Sequence, residues 1–429
     1  MNTAFLLSAA LLGLAIPASA DEFTFDASEF EKKPFEFSGY LEQKEEGLKL
    51  RSSSPAYSLA YPGRSSQNHL LRSTTTLEMA GKLNLDPVVV DVRAQAFHAD
   101  DQLVSNSDRG TVMEGGVRWS AGPGLTVDVG KRVQRWGKGY AWSPVGFIER
   151  PKDASDPQSS REGFVMASAE WTKSLAGPVS AVGLGGFVVP TDGSRLNQDF
   201  GAERDLNPAA RLYLLAWDTD IDFLWRGKGA RPESFGIDFS RNVTSALEVH
   251  GEWARFRDAS RNTVSAKGVT QQTEFDATSW LVGLRYLTQS EVTWIVEYYR
   301  NGLGYDAGEL DDYYTFLDTA LADGAASMLE EKARRVAQSG YGRPNSGQDY
   351  LYAKASVSEP FGWVYGAASL TAMTNLKDRS WQLTPEVSYT GFNNVEIRAR
   401  AFFQHGASHT EFGEKTASRR VEVYARFFF

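Results

Sequence analysis

From residue 35 to the end of the chain, apolar and polar side chains alternate with a period of two, the pattern of strands whose two faces meet different surroundings. In 234–241, Phe235, Ile237 and Phe239 share one face, and Gly236, Asp238 and Ser240 share the other. In 394–403, Val395, Ile397, Ala399, Ala401 and Phe403 oppose Glu396, Arg398, Arg400 and Phe402. The last segment, 419–429, opposes Val421, Val423, Ala425, Phe427 and Phe429 to Arg420, Glu422, Tyr424, Arg426 and Phe428. Similar segments recur along the chain. Each holds about 9–12 residues, enough to cross a bilayer when the strand is tilted.

The spacing of the breaks adds a second regularity. Short turns, such as 85–87, 121–124, 218–219, 242–244 and 288–290, alternate with long polar loops at 48–68, 99–110, 137–160, 191–207, 258–278, 301–347 and 404–418. Counting strands between them gives about 18, with 16 the nearest rival, and an even number returns both ends of the sheet to the same side. Sorting short turns to one side and long loops to the other belongs to a transmembrane antiparallel up-and-down β-barrel, an all-β fold that leaves no sheet edge unpaired in lipid. A soluble sandwich has alternating strands but does not sort its loops. Pro385 falls inside an expected strand and counts locally against the strand count.

Composition narrows the class further. The 429 residues include 45 Lys and Arg against 54 Asp and Glu, a net charge of −9, and no Cys. Disulfides, thiolate metal sites and a cysteine nucleophile are therefore excluded. The basic residues are dispersed, which argues against a nucleic-acid partner. Mean hydropathy is −0.36, and the one continuous apolar run, within 5–17, is too short for a membrane-spanning helix. That run is read instead as the core of an export signal spanning 1–20, with Pro17 breaking it and Ala18-Ser19-Ala20 offering a small-x-small cleavage site. Residues 21–34 are then a periplasmic lead-in to a barrel over 35–429.

The final run, RRVEVYARFFF, places outward apolar residues Val423, Ala425, Phe427 and Phe429 at every second position and ends on an aromatic. It resembles the carboxy-terminal assembly signal of Gram-negative outer-membrane β-barrels, and the layout of the whole chain after the export signal resembles porin-like members of that class. The segment 131–147, KRVQRWGKGYAWSPVGF, is similar to stretches of porin-like barrels. The resemblance implies location in the outer membrane, contact with its lipid, insertion by the barrel-assembly machinery, periplasmic termini and external long loops.

With the apolar face turned to lipid, the opposite residues fall in the lumen. Basic residues there include Arg93, Arg118, Arg132, Arg398, Arg400, Arg420 and Arg426, accompanied by acids such as Glu78, Asp91, Glu114, Asp128, Glu396 and Glu422. Later strands contribute Asp238, Glu248, Glu252 and Glu297. Two readings stand: opposed charged walls that set up a transverse field, or cross-strand ion pairs that hold the wall together. The loop at 303–347 carries a helical pattern over 309–338 and is expected to act as a constriction or a cap. Its acids Glu309, Asp311, Asp312, Asp318 and Asp323 are candidates to dock on the arginines and narrow the pore.

Catalytic constellations are sparse. Of His69, His98, His250, His405 and His409, only His250, in Glu248-x-His250-x-Glu252, stands among three possible metal ligands on one strand face, and spacing along a strand spreads them by roughly 7 Å per step. No metal, cofactor or enzymatic activity is expected. The expected role is a channel for small hydrophilic solutes; the alternative is a non-conducting structural or partner barrel of an envelope export or surface-polymer complex. Oligomeric state is open.

Overall fold

The computed structural model describes residues 34–64, 66–104, 106–322 and 328–429. The export signal and Asp323 lie outside the described residues, as does the lead-in apart from Pro34. Eighteen antiparallel strands form one sheet that closes on itself. The first seven are β1 (Phe35–Leu50), β2 (His69–Leu85), β3 (Val88–Asp101), β4 (Ser107–Gly122), β5 (Leu125–Arg132), β6 (Phe164–Ser174) and β7 (Val179–Val188). Then come β8 (Pro208–Ala216), β9 (Thr219–Arg226), β10 (Ser234–Asn242), β11 (Leu247–Val264), β12 (Thr270–Leu287) and β13 (Val292–Arg300). The last five are β14 (Asp349–Ser358), β15 (Gly366–Asn375), β16 (Trp381–Phe392), β17 (Val395–His405) and β18 (Ala417–Phe428). Each strand pairs with its sequence neighbours, and β18 pairs with β1 (Tyr40 opposite Phe428), so no edge is left open.

Side-chain direction follows the alternation. Ile237 is 37 % exposed on the outer wall while its neighbour Asp238 is 0 % exposed inside. Val421, Val423 and Phe427 are exposed outside, and Glu422 and Tyr424 are buried inside. Trp119, Trp253, Trp280, Trp294, Trp363 and Trp381 are exposed on the outer surface, but Trp136 and Trp142 are buried in the interior. A shallow apolar hollow of about 810 Å³ marks the outer wall where Ala169, Gly186 and Ala210 share a row.

Strand lengths depart from the near-uniform expectation. β5 and β9 have 8 residues, whereas β11 and β12 have 18 each, so the wall is low on one side and tall on another. Much of 258–278, expected as a loop, continues the β11–β12 ladder as far as Val264 opposite Thr270. Its Val, Thr and Gln residues suit a pleated edge, and a tight turn over 265–269 with Gly268 at φ 78° closes it. At Pro385 the β16 ladder to β17 skips 384–385 and resumes at Glu386 opposite Arg400, since proline has no N–H to give. On the short-turn side, Trp217 and Asp218 both adopt positive φ (50° and 56°), as a two-residue hairpin turn requires.

On the long-loop side, α1 (Pro55–Ala60) lies between β1 and β2, and α2 (Ala307–Ala322) and α3 (Met328–Ala337) lie between β13 and β14. Phe316 and Leu317 pack in one cluster with Val264, at the tip of the β11–β12 hairpin, and with Leu59 of α1. Strands 11–12 and strands 1–2 stand on opposite sides of an 18-strand ring. The helical insertion therefore reaches across the mouth.

Candidate functional site

The interior is shaped by the segment 133–163 between β5 and β6, which turns inward. Its sequence explains why. Trp136, Val145, Phe147 and Ile148 are too apolar for a solvated loop, and they bury themselves against Phe164, Met166, Phe187, Leu224 and Phe256 of the inner wall. Trp142 stacks on Tyr299 (5.1 Å between centroids) and packs with Tyr350 and Tyr352. Gly137 (φ 90°) and Gly139 make the close approach feasible. A Cβ on Gly137 would stand 2.1 Å from Ser143 Oγ, and one on Gly139 would stand 2.3 Å from the Trp142 carbonyl oxygen.

Two buried wall carboxylates hold this segment by its backbone. Glu252 Oε1 accepts from the amides of Lys138 (2.7 Å) and Gly139 (2.6 Å), and Oε2 accepts from that of Val145 (3.3 Å). Glu297 accepts from the amides of Tyr140 and Ala141, the latter at 2.8 Å, and lies 2.9 Å from His250 Nε2. Donors converging on an ionised carboxylate make the stronger class of hydrogen bond. Lys138 Nζ adds an ion pair to Asp222 at 3.0 Å and lies 3.8 Å from Asp238. Asp222 is also held by Arg211 Nε at 2.7 Å.

The same segment then runs round to the facing wall. Ser155 Oγ accepts from Gln382 (3.0 Å), Asp156 pairs with Arg400 (2.9 Å), Ser160 Oγ accepts from Arg93, and Glu162 pairs with Lys131. Within it, Glu149 is buried with Arg161 as its ion-pair partner. Burial pushes its carboxyl up to about 7, more than Arg161 and Lys152 pull it down.

Every predicted lumen arginine is an ion-pair partner. Arg93 pairs with Glu78 and Glu114, Arg118 with Asp128, and Arg132 with Asp91 and Asp128. Arg398 pairs with Glu386 and Glu396, and Arg400 with Glu386 and Glu422 in addition to Asp156. Arg420 pairs with Glu46 and Glu422, and Arg426 with Glu42 and Glu396. Aromatic rings interleave with them: Arg420 lies 3.9 Å from the Phe402 centroid and Arg426 lies 4.4 Å from that of Tyr40. A polar cavity of about 790 Å³ opens beside β2–β6, lined by Asp91, Glu114, Arg118, Asp128 and Glu170 among others. A gap of about 20 Å³, the size of one water, remains between Asp156 and the Arg398–Arg400 wall.

The placement corrects part of the sequence reading. Asp238, Glu252 and Glu297 face inward but do not line open space, because the 133–163 segment covers them. Glu248 accepts from the Tyr140 hydroxyl at 3.0 Å. Glu248 lies 3.7 Å from His250 Nδ1, but Glu252 is taken up by the Lys138, Gly139 and Val145 amides, so the three do not converge on one point. The acids of the helical insertion also find partners other than the arginine wall: Glu309 pairs with Arg261 (2.6 Å), and Asp311 and Asp318 flank His409. Asp312 is exposed. The inward segment was missed as a shaping element, although WGKGYAWSPVGF, apolar and rich in glycine in a nominal loop, carried the signal. Val423 and Phe427 face outward as expected, and Phe429 lies beside Phe37 on the same surface with ring centroids 6.0 Å apart.

No family model matches the chain, and no curated protein sequence matches it. Among solved structures, a triple mutant of the Rhodopseudomonas blastica porin aligns over 92% of this chain and 100% of its own, at 12% identity and a TM-score of 0.43. A double mutant of the same porin gives the same coverage, identity and score. A structure described as "Asymmetric conductivity of engineered proteins" aligns over the same shares at 11% identity and a TM-score of 0.42. The identity is too low to carry a role across.

Proposed function

We propose that this protein is an outer-membrane channel of a Gram-negative bacterium, inserted by the barrel-assembly machinery and passing small hydrophilic solutes. The observation behind this reading is the closed barrel, apolar outside and lined inside by ion-paired side chains, with a pinned segment restricting the lumen. The path follows the wall of β2–β6, where the polar cavity lies, because at β16 and β17 the inward segment closes against Gln382 and Arg400. Because each arginine of that wall is matched by a carboxylate, ion selectivity is weak and discrimination is chiefly by size. The opposed-walls field is not part of this reading, since the acids of β10, β11 and β13 are covered. Oligomeric state does not enter it.

Planar-bilayer recording on the refolded barrel tests the proposal. Discrete conductance steps with a cation-to-anion permeability ratio near one are expected. Folded protein that inserts without conducting would overturn the channel in favour of a structural barrel.

A further inference from the structure

His409 lies in the 406–416 loop between β17 and β18, and its ring bridges two carboxylates of α2. Nδ1 is 2.8 Å from Asp311 Oδ1 and Nε2 is 2.9 Å from Asp318 Oδ2. A neutral imidazole has one N–H and one bare lone pair, so one of these contacts would set a lone pair against a carboxylate oxygen. Only the imidazolium donates to both. The two acids sit seven positions apart on one helix, two turns, so a single ring spans them and clips α2 to the loop.

The opposite face of α2 is fastened differently. At the root of α2 the Asp306 amide donates to the Glu309 carboxylate (2.8 Å), the Glu309 amide donates to the Asp306 carboxylate (2.9 Å), and Arg261 of β11 pairs with Glu309. Tyr305, Tyr341 and Tyr313 stack at 3.8 and 4.3 Å, and Phe316 and Leu317 pack with Val264. That anchorage is chiefly apolar. Three further ties, Arg334 Nη1 donating to the Leu59 carbonyl at 3.0 Å, the Val264 amide donating to the Tyr341 hydroxyl at 3.1 Å and the Tyr305 hydroxyl donating to the Asn262 carbonyl at 3.0 Å, involve no group that titrates near neutrality.

We infer that the helical insertion is a proton-operated lid over the mouth, rooted on the β11–β12 hairpin and latched by His409 to Asp311 and Asp318. The inference rests on the channel reading for what the lid controls, but not for the latch itself. Protonation favours closure, and loss of the proton removes at least one of the two bonds. The other groups facing the ring are Tyr314 of α2, whose ring lies over His409 at 5.9 Å, and Glu414, which accepts from the His409 amide at 3.0 Å. Beyond them stand Glu411 of the same loop, Asp378 of the 376–380 loop, which accepts from the Glu411 amide, and Arg51 of the 51–68 loop, whose guanidinium donates to the Phe412 carbonyl. The nearest set is acidic, which favours the cationic ring. Partial burial pulls the His409 pKa down, and the hydrogen bonds to Asp318 and Asp311 raise it by more, so the net direction is upward.

The chain has no cysteine, so spin labels can be placed on Thr319→Cys and Ser408→Cys without background thiols. The label distance should be short and narrow near about pH 5 and broaden near about pH 9, with the open-to-closed ratio rising about two- to thirty-fold. Bilayer conductance should rise over the same interval. His409→Gln should be open-biased and flat with pH, and His409→Arg closed-biased at both ends. A wild-type pH response in His409→Gln, by distance and by conductance, would overturn the latch. A distance response in protein that never conducts would overturn the channel reading and leave the latch standing.

Discussion

Glu252→Ala tests whether the pinned segment governs the pore. The carboxylate holds two short bonds from the amides of Lys138 and Gly139, at 2.7 and 2.6 Å, and a longer one from Val145. Hydrogen bonds to a charged acceptor contribute about 1.5–3 kcal/mol each, so the two short ones amount to about 3–6 kcal/mol of local anchoring. Trp136 and Phe147 remain buried in the variant, so the segment stays inside the barrel. Its glycine-rich stretch 137–139 loses its hold and samples the lumen. Single-channel recording should then show altered conductance with a marked rise in open-channel noise, while heat-modifiability on gels reports an intact barrel. Glu252→Gln keeps one oxygen for the two short bonds and should fall about midway. Conductance and noise equal to wild type in folded Glu252→Ala would refute the reasoning, because the 137–141 backbone would then not bound the path.

Three further outcomes follow from the geometry. Ile237→Arg places a charge on the outer wall and should destabilise the barrel by about 2–4 kcal/mol in lipid, with Ser240→Arg on the inner face costing much less; a urea midpoint for Ser240→Arg as low as that of Ile237→Arg would contradict this facing. A Cβ at Gly39 would stand 2.4 Å from the Glu78 carbonyl oxygen and 2.7 Å from the Phe429 ring, so Gly39→Val should lower stability by about 1–3 kcal/mol, read as the yield of heat-modifiable barrel; an undiminished yield would count against it. Glu149 holds its proton up to about 7 when folded against 4.5 ordinarily, so its contribution is neutral below about pH 4.5, falls as pH rises from there to about 7, and stays lower above. Glu149→Gln should remove that loss, up to about 3 kcal/mol, from the pH dependence of the urea midpoint; an unchanged slope would contradict the buried-acid assignment.

The barrel was legible because one physical cause, lipid on one side and water on the other, stamps the same two-residue period on every strand. Ile237 against Asp238 and Val423 against Glu422 are separated by a single step and by opposite surroundings. What stayed hidden lies where that cause does not act. Glu252 and Glu297 have the pattern of pore-lining acids, and nothing in their own strands tells that a segment more than a hundred residues earlier supplies their donors. The reverse error, taking 258–278 for loop, arose because the tall hairpin continues beyond the apolar band and loses its outward hydrophobics while keeping its ladder. For His409, the sequence shows a histidine in a loop; only the fold brings α2 to both sides of its ring.

The seam between the first and last strands sets a condition on biosynthesis. Gly39 and Phe429 exchange backbone hydrogen bonds at 2.9 and 3.0 Å, and Tyr40 stands opposite Phe428. Until these residues meet, two strand edges carry rows of unmatched amide and carbonyl groups, each costing several kcal/mol in hydrocarbon. A chain that stops a dozen residues short therefore has no stable resting place in the membrane, however well its earlier hairpins have formed. The final strand acts as a proofreading mark. It marks the chain as complete before the protein is committed to the bilayer.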